Sequence, residues 1–237
     1  MHIMLHIDII SVQPGMFRGF LEQSIVARAV KKGACTITIR NLRDFAHDKW
    51  RKVDDKPYGG GPGMLMMCAP WFEAVEECLG TPGEGAPPAP GRRVIMTSPA
   101  GRKFDQRMAE ELSGESHLVF MCGHYEGFDA RIATLATDEV SVGDFVMTGG
   151  ELAAAVMVDS IVRLLPGVLG GGPCATASES FGREGLLEAP QYTHPPIFRG
   201  MPVPEVLMSG DHRKIDAWKK SAARARTAAA RPDLLTQ

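Results

Sequence analysis

The run ELAAAVMVDSIVRLL, Glu151 to Leu165, constrains this chain more than any other stretch. It is apolar enough for a wholly buried helix, and such a helix belongs in the interior of a layered fold. Glycines bracket it, Gly149 and Gly150 before and Gly167 to Gly172 after, yet Asp159 and Arg163 stand inside it. Residues four apart share a helix face, so these two can neutralise each other as an ion pair. A buried pair seldom repays its desolvation, which leaves a second reading open beside it: Arg163 is a working cation held by Asp159. The same charges break the run well short of the roughly 20 apolar residues that a membrane-spanning helix needs.

The surrounding pattern alternates strand and helix. HIMLHIDII is β-rich, Met16 to Lys31 has helical spacing and stops at Gly33, and CTITIR alternates as a strand does. A polar stretch, DFAHDKWRKVDDKPYGGGPGM, leads to MLMM and a helix-like APWFEAVEECL; RVIMTS, KFDQRMAEEL and HLVFMC continue the alternation. Strands alternating with helices specify an α/β fold, a mainly parallel sheet covered on both faces. GTPGEGAPPAPGR reads as a surface loop and GGGPCATASES as a linker. At 237 residues the chain suits one medium domain plus a small one. Gly185 to Gln237 is too short for a large core of its own, and is expected to be a small, mainly helical domain.

A net charge of −2 does not announce nucleic-acid binding, but charge is unevenly placed. From His212 to Arg231 seven Lys or Arg stand against one acid, Asp216. On a helix, Arg213, Lys220, Arg224 and Arg231 fall within about 40° of one another. Ile215, Trp218, Ala222, Ala225 and Ala229 take the other side. Such a stripe suits phosphates; the alternative is a solvated charged face.

Several chemistries lack their signatures. There is no G-x-x-x-x-G-K-[ST], no G-x-G-x-x-G after the first strand, no H-E-x-x-H and no G-x-S-x-G. The five cysteines form no C-x-x-C pair and no zinc spacing, so reduced thiols are expected, as is a cytoplasmic location, because the N-terminus reads as a strand and not as a signal peptide. What remains is TSPAGR, CGHYEGFD and SVGDFVMTGGE, each placing small or turn-forming residues after an apolar strand. In open α/β sheets ligands bind at the carboxyl ends of strands. Three such loops offer backbone groups to a flat neutral heterocycle such as adenine; taken singly, each is also explained as a tight turn.

The chain closely resembles the bacterial tRNA (guanine-N1)-methyltransferases of the knotted SPOUT class. The resemblance rests on DIISVQPGMF, VDDKPYGGGPGMLMM, SPAGRKFDQ, CGHYEGFDARI, VGDFVMTGGELAAAVMVDSIVRLLPGVLG, the ESF and REGLLEAPQYTHP segments around Gly182, and VPEVLMSGDHRKIDAWK. These appear in family order over nearly the whole chain. The resemblance implies a trefoil-knotted, S-adenosylmethionine-binding domain over residues 1–169, a flexible linker over 170–184, and a tRNA-binding domain over 185–237. It also implies a homodimer, and methyl transfer to N1 of the guanosine 3′ of the tRNA anticodon.

Position by position, it assigns the cofactor to Ser98 and Pro99, to Gly123, Tyr125, Glu126 and Gly127, and to Val142, Gly143, Phe145, Met147, Gly149 and Gly150. Asp54, Asp55, Gly59 and Gly60 are expected at the guanine pocket or the dimer contact beside it. Arg213, Lys220 and Arg224 are expected on the tRNA. Removing the N1 proton requires a base, for which Glu179 is the candidate, and the charge developing toward O6 requires a cation, for which Arg163 is the candidate. Magnesium is admitted as a further cofactor, although no stretch has the spacing of a dedicated cage. The chain departs from the family at Glu179, where Asp is usual, at His124, where Arg is usual, and at Ala153, where Pro is usual. Another knotted RNA methyltransferase and a non-catalytic RNA-binding protein are the rival readings.

Overall fold

A computed structural model describes residues 4–80, 88–170, 179–182 and 184–235. Cys174 and parts of the expected surface loop and linker therefore lie outside the described residues. The chain divides into two compact units, 1–170 and 171–237.

The first unit is built on five parallel strands. In chain order its elements are β1 (Leu5–Ser11), α1 (Arg18–Leu21), α2 (Ser24–Lys31), β2 (Cys35–Asn41), β3 (Asp54–Asp55), β4 (Leu65–Met66), α3 (Cys68–Leu79), β5 (Arg92–Lys103), α4 (Gln106–Ser113), β6 (His117–Met121), β7 (Asp138–Ser141) and α5 (Glu151–Val162). The sheet order is β2-β1-β6-β5-β7, and β3 and β4 form a separate two-stranded pair.

Alternation along the strands divides the core in two, because successive side chains point to opposite faces. Ile7 and Ile9, Leu118 and Phe120, and Ile95 face α2, α4 and α5. Ile10, Val119, Met121, Val94 and Met96 face α3 with Trp71, Val75 and the 3₁₀ turns that carry Leu42 and Ile132. Local chemistry sets the helix ends. Asp105 caps α4 by accepting from Met108 N at 2.8 Å, and Gly80 ends α3 in the left-handed region at φ 70°.

Two expectations are corrected. The helix expected from Met16 to Lys31 is broken, because Gln23 is extended and Ser24 takes φ 58°. Helix α5 is not wholly buried within one chain. Ala153, Ala154, Met157, Val158, Ile161 and Val162 are enclosed, but Leu152 is 59% and Val156 53% exposed, and Asp159 follows them on the same face. The apolar composition of Leu152 and Val156 matches that of core residues whichever way they point.

The second unit carries a short hairpin, β8 (Ile197–Phe198) and β9 (Met201–Pro202), then α6 (Glu205–Met208) and α7 (His212–Ala230). Asp211 caps α7 by accepting from Lys214 N at 3.2 Å. The long helix packs through Ile215, Trp218, Ala222, Ala223 and the fully buried Thr227, whose hydroxyl donates to Ala223 O at 2.8 Å and accepts from Leu187 N at 3.0 Å. Ala225 and Ala229 are exposed, contrary to the sequence reading. Their apolarity was weighed as burial, whereas a threonine hydrogen-bonded to the preceding segment fixes the helix rotation.

Candidate active site

Strands β6, β5 and β7 are neighbours in the sheet and parallel, so the loops at their carboxyl ends meet. They surround a cavity of about 500 Å³. All twelve residues expected to hold the cofactor line it: Ser98 and Pro99; Gly123, Tyr125, Glu126 and Gly127; Val142, Gly143, Phe145, Met147, Gly149 and Gly150.

The loops are tied through backbone and hydroxyl groups. Thr97 Oγ1 donates to Met121 O at 2.9 Å and accepts from Gly123 N at 3.2 Å, which joins the middle of β5, where its register shifts, to the end of β6. Gly150 N donates to Gly123 O at 2.7 Å, and His124 pairs with Gly149 as an antiparallel bridge. A Cβ on Gly150 would collide with Thr97 Oγ1 and lie 2.9 Å from Gly123 N, so only glycine lets the chain pass here. Val140 is paired first with Thr97 and then with Arg102, so the bend over 98–101 passes around β7.

The second loop is also held from outside. Glu126 N donates to Met64 O at 3.0 Å and Met66 N to Gly127 O at 2.9 Å, which seats the β3–β4 pair against it. Tyr125 takes φ 59°, an uncommon conformation for a side chain of its size, and its hydroxyl accepts from the Arg43 guanidinium at 3.3 Å. Thr97, Asp129, Ser141 and Thr148, which stand inside the three motifs, and Glu139, two residues before the third, also line the cavity, although sequence reasoning assigns none of them to it. The Arg131 guanidinium grips Asp129 and holds its carboxyl well below the usual carboxylate range.

Asp54 is half-buried in β3, and Asp55 is exposed and paired with Lys52 at 3.0 Å. The Lys52 ammonium and the Lys56 backbone N–H keep the Asp55 carboxyl ionised below its ordinary value. Gly59 and Gly60 are exposed in the turn between β3 and β4.

Arg163 caps the carboxyl end of α5, half-buried, and is not among the residues lining the 500 Å³ cavity. Asp159 does not hold it through an ion pair among the described residues; a backbone bond, Arg163 N to Asp159 O at 3.2 Å, joins the two. Asp159 is turned to the exposed face, so the expected clasp between these two side chains is not formed.

Glu179 belongs to the second unit, where it lines a cavity of about 710 Å³ with Glu188, Tyr192, Asp216 and Lys220. Arg213, Lys220 and Arg224 are exposed along α7. Arg231 departs from that stripe: it lies past the helix, forms an ion pair with Asp233 at 2.7 Å and faces the Phe181 ring. The helical projection extended the helix one residue too far and could not see the acid beyond Pro232.

Among the described residues, no group of three or more His, Cys, Asp or Glu could hold a metal ion, which leaves the magnesium expectation without a site. No described helix is long and apolar enough to cross a membrane. Cys35, Cys68, Cys78 and Cys122 are free thiols, and burial pushes Cys35 up to about 11 and Cys78 up to about 12, which keeps them protonated.

A profile described as tRNA (Guanine-1)-methyltransferase TrmD matches residues 5–237. The chain is 52% identical to a tRNA (guanine-N(1)-)-methyltransferase of Lactiplantibacillus plantarum over 98% of this chain and 91% of that protein. It is 50% identical to the protein of the same name from Geobacillus kaustophilus, over 98% and 92%, and to that of Moorella thermoacetica, over 98% and 91%.

Proposed function

The chain belongs to the tRNA (Guanine-1)-methyltransferase family, and on that basis we propose that it transfers a methyl group from S-adenosylmethionine to N1 of the guanosine 3′ adjacent to the anticodon, position 37 of tRNA. One observation carries this reading: the three strand-end loops, read separately from sequence, supply all twelve expected cofactor residues to one cavity. Its size falls within the roughly 300–1,000 Å³ of small-molecule pockets. Its rim is rich in backbone groups and glycine, which suits an adenine ring read by main-chain hydrogen bonds.

The cofactor supplies an electrophilic methyl group. The nucleophile, N1, carries a proton in neutral guanine and attacks only as that proton leaves. Glu179 is the proposed base. Its carboxylate is one methylene longer than the family's usual aspartate. Arg163 is the proposed cation for charge developing on O6, a role that supplies several kcal/mol where water is scarce. Asp54, Asp55, Gly59 and Gly60 are proposed at the guanine. Their strand pair is hydrogen-bonded to the second cofactor loop, which supports that role.

We assign residues 1–169 to the knotted catalytic domain, 170–184 to a linker and 185–237 to tRNA binding. The double pairing of Val140 supports the knot. The exposed Arg213, Lys220 and Arg224 support phosphate contact. A homodimer is supported by exposed apolar side chains: Leu152 and Val156 on one face of α5, and Phe145 and Val146, at 57% and 87%, in the loop before it. A tRNA substrate implies the cytoplasm.

Calorimetric titration with S-adenosylmethionine tests the site. Stoichiometric binding that S-adenosylhomocysteine competes away is expected, and no binding would overturn the assignment.

A further inference from the structure

Three polar side chains from three separate segments meet beneath the cavity. Ser11 ends β1, His124 lies in the loop after β6, and Glu151 opens α5. The Glu151 side chain is only 2% exposed. Ser11 Oγ donates to Glu151 Oε1 at 2.7 Å, so one carboxylate oxygen has its partner. The other, Oε2, faces His124 Nδ1 at 3.8 Å. That nitrogen is sealed from solvent and has no hydrogen-bond partner among the described residues. A buried ring nitrogen and a buried carboxylate oxygen thus confront each other slightly beyond hydrogen-bond length. Leaving the buried ring nitrogen without a partner costs more than closing the gap.

The geometry bears on the pocket and not only on the core. Gly149 passes beside this pair; a Cβ there would collide with Glu151 Oε2 and come within 2.5 Å of His124 Nδ1. Gly149 also pairs with His124 through the backbone, and both residues line the cavity. The 3.8 Å gap therefore lies at the seam between the second cofactor loop, 123–127, and the third, 142–150. The outer face of the same loop is braced independently, because the His124 ring meets the Tyr125 ring edge-on at 5.0 Å and Tyr125 is held by Arg43.

We propose that His124 is a positioning residue that donates Nδ1–H to Glu151 Oε2 when S-adenosylmethionine binds, latching the third loop onto the second. This rests on the cavity being the S-adenosylmethionine site. The donor strengthens cofactor binding through loop placement and touches no reacting atom. A neutral imidazole suffices, so the latch needs a tautomer and not an added proton.

Two substitutions separate the donor from the ring. His124→Phe keeps the volume and removes the N–H; His124→Asn keeps a donor near the Nδ1 position. Calorimetry on the full-length protein should show S-adenosylmethionine binding weakened about tenfold or more in H124F, the scale of one charge-assisted hydrogen bond, and within about threefold of the parent in H124N. Binding by H124F within about twofold of the parent, or H124N as weak as H124F, would overturn the proposal. A measurement on the unaltered protein stands apart from any folding defect. With ¹⁵N-labelled histidine, cofactor saturation should show His124 Nδ1 carrying its proton, and an unprotonated Nδ1 in the complex would overturn the proposal. If the unaltered protein binds no S-adenosylmethionine, the functional assignment falls first and the latch with it.

Discussion

Gly150 N–H donates to the Gly123 carbonyl at 2.7 Å, which fastens the residue that opens α5 to the loop that follows β6. The contact is short because nothing projects from Gly150 toward Thr97 and Cys122. Gly150→Ala should therefore destabilise the fold by about 1–3 kcal/mol, the usual range for overpacking a filled core. It should also weaken S-adenosylmethionine binding, since the same residues shape the cavity. Thermal unfolding and calorimetry check both; an unchanged midpoint with unchanged affinity would show that the seam is more yielding than its geometry indicates.

The two proposed catalytic groups predict a different pattern. Arg163→Ala should lower turnover about 100-fold or more while leaving cofactor affinity within about twofold, as expected for a cation that acts only on transition-state charge. Equal loss of both would make Arg163 a residue of the fold. Glu179→Gln should nearly abolish turnover and leave tRNA affinity intact, and an active variant would send the search for the base elsewhere.

Along α7, Arg224→Ala should weaken tRNA binding and reduce the slope of log affinity against log salt by about one phosphate contact. Arg231→Ala is the internal contrast, because that guanidinium is already committed to Asp233. Its salt slope should match the parent. Equal slopes for all three proteins would return the stripe to a solvated face.

Acid stability should report on Asp8. Burial alone would raise its carboxyl, but hydrogen bonds from His117 at 2.8 Å and Arg40 at 2.7 Å outweigh this and hold it below the ordinary 3.8. A lowered folded-state value means that the contribution is fully present above about pH 4 and is lost as pH falls through the folded value. Asp8→Asn should cost about 2–3 kcal/mol at neutral pH and flatten the acid limb of a stability profile. A parallel limb in the variant would assign acid unfolding to another carboxylate, such as the Arg93-bound Asp138.

The layered α/β core was legible because its signals are periodic. CTITIR alternates over β2, and β1 and β6 are β-rich or apolar runs of strand length, signals that neighbours a few residues apart supply. The cofactor loops were legible as three glycine-rich strand ends, but their convergence depends on the order β6-β5-β7, which no local pattern encodes. The exposed stripe of α5 was unreadable for a related reason, since Leu152 and Val156 have the composition of core residues wherever they point. Arg231 went astray over a single salt bridge to Asp233, two residues away and past the helix end. The buried meeting of Ser11 with His124 and Glu151 brings Ser11 to positions more than a hundred residues away and leaves no sequence signature at all.

The central claim is tested most directly by incubating the protein with methyl-labelled S-adenosylmethionine and two tRNA transcripts that differ only in carrying guanosine or adenosine 3′ of the anticodon, then mapping the product by nuclease digestion and mass spectrometry. N1-methylguanosine at that one position in the first transcript, and no label in the second, is the predicted result. An unlabelled guanosine transcript, or label at another nucleotide, would contradict the account.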